Sequence, residues 1–192
     1  MSKTTFQVGA EGEELVIDHL KQRGCSVVDL RNDPEYQAKD IDLSILTPQK
    51  NWRTLEIKTD TRMHKTGNIM IELSMSRKTG LYDGWFYKCK ADILCYVDAH
   101  AGNLLFLPWE KLRQYTTRLM AQEPSCICSF KNPYDAHCIG RGVLLSVKQH
   151  LIPNDLILKV SHSETIKSAV ACWEAGLNYV RKDNSSVLVI PA

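Results

Sequence analysis

The spacing of apolar residues changes several times along the chain, and each change marks an element. From Gly12 to Arg23 the apolar positions Leu15, Val16, Ile17 and Leu20 follow a helical period, and Gly24 supplies a C-terminal stop. Cys25 to Leu30 is a short apolar run entering a polar turn at Asn32, Asp33 and Pro34, the pattern of a strand that leads into a loop. The period then becomes two. In Asp40-Ile41-Asp42-Leu43-Ser44-Ile45-Leu46, one face carries Ile41, Leu43 and Ile45 and the other Asp40, Asp42 and Ser44. A turn from Pro48 to Asn51 precedes a strand from Trp52 to Thr59, with Leu55 and Ile57 facing in and Glu56 and Lys58 facing out.

Asn68 to Ser74 reads as another strand, and Trp85 to Lys90 as a short aromatic, basic helix or turn feeding a strand from Ala91 to Val97. Leu104 to Leu107 is a further strand, and Pro108 opens a second helix through Trp109, Leu112, Tyr115 and Leu119. Beyond Met120 come a Cys-containing loop, a strand from Val143 to Val147, an apolar segment from Leu156 to Val160, a helix from Ser163 to Ala175 and a last strand from Val187 to Ile190. The expected architecture is an α/β core of residues 1–120, a mixed sheet of four or more strands flanked by helices. Residues 121–192 form a small C-terminal extension packed on it.

Charge sharpens this picture only locally. The whole chain of 192 residues has a formal net charge of +2, but between Lys50 and Lys90 nine Lys or Arg stand against four acids, as a phosphate-binding face would need. Lys65, Arg77, Lys78, Lys88 and Lys90 fall in this region, where Trp85, Phe86 and Tyr87 interleave aromatics with cations. Trp85 and the five cations are the candidate nucleic-acid contacts. No uncharged apolar run approaches the roughly 20 residues of a bilayer span, and the first residues have no apolar leader, so a cytoplasmic protein without a membrane partner is expected. The seven cysteines are odd in number and widely spread, which reads as reduced thiols. Cys126, Cys128, His137 and Cys138 have zinc-capable side chains, but Cys-x-Cys beside His-Cys is poor spacing for a structural zinc.

The helix, strand and hairpin order nominates Glu13, Asp42, Glu56 and Lys58 for a single site. Residues i and i+2 of a strand point to one side, so Glu56 and Lys58 project together while Ile57 anchors the strand and can offer its backbone carbonyl. Two carboxylates, a carbonyl and waters make the oxygen-rich site that Mg²⁺ or Mn²⁺ accepts. Taken alone, Glu56 and Lys58 also suit a solvated edge-strand charge pair, and Glu13 an acid favoured by the helix dipole.

Through Asp42, the run Leu55-Glu56-Ile57-Lys58-Thr59 and the preceding helix, residues 9 to 110 resemble the PD-(D/E)XK nuclease superfamily, especially its phage-type and Holliday-junction-resolvase-like branches. Gly9-Ala10-Glu11-Gly12-Glu13 matches the Gly-x-x-Gly-Glu pattern of that family's early helix, which carries Glu13 over as a third acidic group, with Glu14 as the neighbouring alternative. The resemblance implies a restriction-endonuclease-like core and metal-dependent hydrolysis of DNA at ends, flaps or junctions, as in repair and recombination. Asp42, Glu56 and the Ile57 carbonyl would hold the metal and Lys58 would serve the attacking water. The motif's Pro is absent, Ile41 standing before Asp42, and Asp40 competes with Asp42 for the ligand role. Glu72 could join the acidic cluster or lie on the surface. A homodimer would suit cleavage of both strands. The rival expectation is a catalytically silent nuclease fold that binds nucleic acid or protein.

Overall fold

The computed structural model describes residues 5–132, 135–146 and 158–160. The helix expected from Ser163 to Ala175 and the strand from Val187 to Ile190 lie outside the described residues. In chain order the elements are α1 (Thr5–Gln22), β1 (Ser26–Asp29), α2 (Pro34–Gln37), β2 (Leu43–Leu46), β3 (Trp52–Asp60), α3 (Met63–Thr66), β4 (Asn68–Arg77) and β5 (Gly80–Asp83). There follow α4 (Trp85–Lys88), β6 (Ile93–Asp98), β7 (Leu104–Pro108), α5 (Trp109–Gln122), β8 (Ile127–Asn132), β9 (Asp135–Ser146) and β10 (Leu158–Val160).

Among the described residues ten strands make two sheets. The first has the order β1-β2-β3-β6-β7-β10 and is mixed: β3 and β6 run parallel and every other neighbouring pair is antiparallel. Parallel neighbours need a long crossover, and here the crossover carries α3, β4, β5 and α4. β4 and β5 then join β9 and β8 in a second sheet of order β5-β4-β9-β8. β8 and β9 belong to the segment expected as an extension after residue 120, and they complete this sheet through the β4–β9 register.

α1 packs on one face of the first sheet. Its Val16, Ile17 and Leu20 form an apolar cluster with Leu43, Ile45, Leu55, Ile57, Ile93, Cys95 and Val97. The close approach is made at Gly12, where a Cβ would fall 2.1 Å from Thr59 Oγ1. α1 begins two turns before the apolar periodicity does, because residues such as Phe6, 85% exposed, bury nothing and so leave no periodic mark. Gly24, at φ 80°, follows the helix end.

The other face of the first sheet is covered as well. Leu94, Tyr96, Leu105 and Leu107 pack against Ile69, Ile71, Val143 and Leu145 of the second sheet, against Trp85 and Phe86 of α4, and against Trp109 and Leu112 of α5. β6 is therefore buried along its whole length. Trp109 anchors the join: its indole lies 5.3 Å from that of Trp85, and its Nε1–H donates to the Cys89 carbonyl at 3.1 Å. Tyr96 ties the layers through its hydroxyl, which accepts from the Met70 N–H at 3.1 Å and donates to Asp60 at 3.3 Å. Among the described residues no helix is long and apolar enough to cross a membrane.

Candidate active site

Strand alternation separates Leu55 and Ile57 from Glu56 and Lys58, as expected, but the second pair does not face solvent. Glu56 and Lys58 project from β3 toward the covered side of the sheet, where Glu56 is 3% exposed and the Lys58 side chain 29%. The two are ion-paired through Lys58 Nζ and Glu56 Oε1, and the ammonium also stands 5.6 Å from the centre of the Trp85 indole. Glu56 Oε2 is buried and meets no hydrogen-bond donor among the described residues. A solvated edge-strand pair is thus ruled out by burial.

Asp42 is the residue before β2, one step beyond the pair Leu43 and Leu55, which places it across from Glu56. There the ladder changes hands. Instead of a β2 carbonyl, the Asp42 carboxylate accepts the Ile57 N–H at 2.7 Å. In a strand the N–H and C=O of one residue point the same way, so the Ile57 carbonyl is directed to this same side, past the end of β2. Asp42, Glu56, Ile57 and Lys58 are therefore neighbours.

Asp40 takes a different place. It sits at φ 47° after α2, with Ile41 N–H bonded to the Tyr36 carbonyl and Asp40 N–H to that of Gln37. This is a Schellman-type ending with an aspartate at the left-handed position that glycine usually fills. Its carboxylate lies 3.3 Å from Lys88 Nζ.

Lys58 opens into a cleft of about 560 Å³ lined by Asp40, Glu72, Arg77, Tyr82, Trp85 and Lys88, with Met75 and Asp83. Its second wall depends on a β-bulge. Glu72 pairs with Gly142 and Ser74 with Arg141, so Leu73 is the extra residue. Residues three apart on a regular strand face opposite ways, but the bulge puts Glu72 on the same face as Met75 and Arg77. Gly84 makes room for it: a Cβ there would lie 2.3 Å from the Glu72 carbonyl oxygen, and the Gly84 N–H donates to the Leu73 carbonyl at 2.8 Å. Glu72 therefore joins the cleft rather than the outer surface.

Burial dominates the electrostatics. It pushes the Glu56 carboxyl up to about 8; Lys58 opposes the rise, and the charges of Asp42 and Asp40 add to it. Burial works against the Lys58 ammonium, yet Glu56, Asp40 and Asp42 outweigh it and hold that charge in place. Glu72 is also raised by burial, against the pull of Lys58, Lys88 and Arg77.

Several expected residues stand elsewhere. Glu13 is held by Arg31 at 2.9 Å in a knot with Glu14 and Asp29. It rides on α1, which packs on the Leu55 and Ile57 face, opposite Glu56 and Lys58, so the structure does not join it to them. Trp85 is 8% exposed and packed between Trp109 and Lys58, which leaves no free ring face for a base. Of the expected cations, Arg77 and Lys88 line the cleft, whereas Lys65, Lys78 and Lys90 are exposed outside its lining. Tyr82 was not expected; the turn Lys78-Thr79-Gly80 after an alternating strand is the signal that marks its hairpin. Cys128 pairs with Gly142, four residues along β9 from Cys138, a separation of about 13 Å that no shared zinc spans. The His137 side chain lies outside the described residues.

Among the described residues, no three His, Cys, Asp or Glu side chains converge as a ready-made ligand set. Asp42, Glu56 and the Ile57 carbonyl still suit an ion of the Mg²⁺ type, which binds through one or two carboxylates and keeps several waters. The unpartnered Glu56 Oε2 is the observation that fits.

No family model and no curated protein matches the chain. Among solved structures, the chain is similar to a bacterial homing endonuclease, I-Ssp6803I, with a TM-score of 0.46 and 14% sequence identity, over 59% of this chain and 74% of that one.

Proposed function

We propose that the chain is a metal-dependent nuclease that hydrolyses phosphodiester bonds in DNA, with Asp42, Glu56 and Lys58 at its centre. One observation carries this reading: a buried carboxylate with an oxygen that meets no partner among the described residues, flanked by a second carboxylate and by a lysine that opens into a cleft. An uncompensated buried carboxylate costs several kcal/mol unless a proton or a cation neutralises it. Lys58 alone leaves Oε2 unsatisfied.

In this reading Asp42, Glu56 and the Ile57 carbonyl would hold Mg²⁺ or Mn²⁺. The bound ion supplies Lewis acidity toward the phosphate and acidifies a water. Lys58, paired with Glu56 Oε1 and open to the cleft, would present its ammonium to the scissile phosphate or to the attacking water, where it stabilises developing charge. Arg77 and Lys88 attract the flanking backbone phosphates at the rim of the cleft. The Trp85 ring, 5.6 Å from the Lys58 ammonium, limits where the amine can go.

A second reading, a silent nuclease fold that binds nucleic acid, is favoured by the Lys58–Glu56 ion pair and by the lack of a converged ligand set among the described residues. Cleavage of labelled linear, single-stranded and branched DNA separates the two, using wild type and Lys58→Ala with Mg²⁺, Mn²⁺ or EDTA. Hydrolysis that needs the metal and falls by at least about a hundredfold in the variant supports the nuclease. Binding unaffected by EDTA, with no cutting of any substrate, replaces it with the silent module.

A further inference from the structure

The second sheet carries a feature that hydrolysis does not require. Tyr82 of β5 pairs with Met75 of β4, Met75 with Gly140 of β9, and Gly140 with Phe130 of β8. Directly paired residues share a face, so these four form one row across the whole sheet. Its two ends are aromatic and lie three strand spacings apart, about 14 Å.

The row is shaped by what is missing between the rings. A Cβ at Gly140 would fall 2.1 to 2.6 Å from three atoms of the Phe130 ring, and one at Gly142 would fall 3.3 Å from it. The phenyl ring therefore lies across both glycines, one face against the backbone. Any larger residue at Gly140 would lift it off. At the other end Tyr82 is 47% exposed, its hydroxyl donates to Thr79 Oγ1 at 2.8 Å, and the Arg77 guanidinium stands 5.8 Å from its ring centre. Met75 and Tyr82 also line the Lys58 cleft, so the row runs into the site.

We propose that this row is a stacking strip for unpaired nucleotides, so that the substrate of the cleft is single-stranded DNA or a frayed end. The inference rests on reading the cleft as a nucleic-acid site. Base faces are hidden inside a duplex but open in a single strand, and an aromatic ring on a sheet surface offers them a partner of matching size without reading sequence. Arg77 and Lys88 supply the charge complementarity at the mouth of the cleft, where the backbone of a strand stacked on Tyr82 would pass.

The test is fluorescence anisotropy of the full chain in EDTA with a labelled oligothymidylate and with a duplex of equal length, so that binding is read without hydrolysis. Tyr82→Leu and Phe130→Leu each weaken single-strand binding roughly tenfold and leave duplex binding unchanged, while Tyr82→Phe, which keeps the ring, binds as wild type. Circular dichroism shows the variants folded. The inference is overturned if the leucine variants keep single-strand affinity within about twofold, or if duplex binding falls equally. It is also overturned if the substitutions instead dissociate a dimer in sedimentation, which would make the row an interface between copies. Loss of the strip leaves the Lys58→Ala cleavage result untouched, and a failed cleavage assay leaves the anisotropy result standing, so the two readings fall separately.

Discussion

The Asp42 carboxylate accepts the Ile57 backbone N–H at 2.7 Å, at the point where β2 has ended and β3 continues. One oxygen of this side chain is thus structural and the other is left for chemistry. Asp42→Asn keeps an acceptor for Ile57 and removes the charge, so stability in urea changes by less than about 1 kcal/mol. Asp42→Ala leaves the N–H without its partner and costs about 1 to 3 kcal/mol. Both lose metal-dependent cleavage. Equal destabilisation by the two substitutions would show that the hydrogen bond is not what holds the strand end.

Asp40 offers the complementary experiment. Its φ of 47° is disfavoured for an aspartate and natural for glycine. Asp40→Gly should therefore raise the urea midpoint, by about 0.5 to 1 kcal/mol of stability. If Asp42 is the metal ligand, the variant still cuts DNA with Mg²⁺ while losing its contact to Lys88. Abolished cleavage in a folded Asp40→Gly protein would transfer the ligand role to Asp40.

Glu56 makes stability depend on pH in the direction opposite to a salt-bridged surface acid. Its carboxyl is raised from 4.5 to about 8, chiefly by burial. Below 4.5 the folded and unfolded chains both hold the proton, and the stabilisation is complete. Between 4.5 and 8 the unfolded chain releases it first, so the native state loses up to about 3 to 5 kcal/mol as pH rises. Melting temperature in EDTA therefore falls from pH 5 to pH 8, Mg²⁺ restores part of it at pH 8, and Glu56→Gln flattens the difference. A wild-type profile in EDTA that matches the Gln variant at every pH would refute the assignment.

What could be read from the chain was whatever depends on near neighbours. The alternation in residues 40–46 and 52–59 places Leu55 opposite in orientation to Glu56, and Pro108 starts α5 within a residue of its observed bound. Period cannot tell what covers the polar side of a strand, and here the cover comes from α4, α5 and the second sheet, whose β9 lies far along the chain. β5 left no apolar trace because all four of its residues are exposed. The bulge at Leu73 escapes a period-two reading by its nature, which is why Glu72 reads as surface and is found in the cleft. Glu13 belongs to a helix that matches the expected one, yet Arg31 lies close enough to hold it, a contact that pattern alone does not reveal.

The pairing of Glu72 with Gly142 joins positions some 70 residues apart. Glu56 and Lys58 therefore leave the ribosome well before the strand that completes the facing wall has been made. A nascent or truncated chain ending before β9 would expose β4 as an unpaired edge, open to another chain. Cutting activity that needs that wall is withheld until synthesis has passed residue 146, so the cleft is finished only after the strand that pairs with β4 has been made.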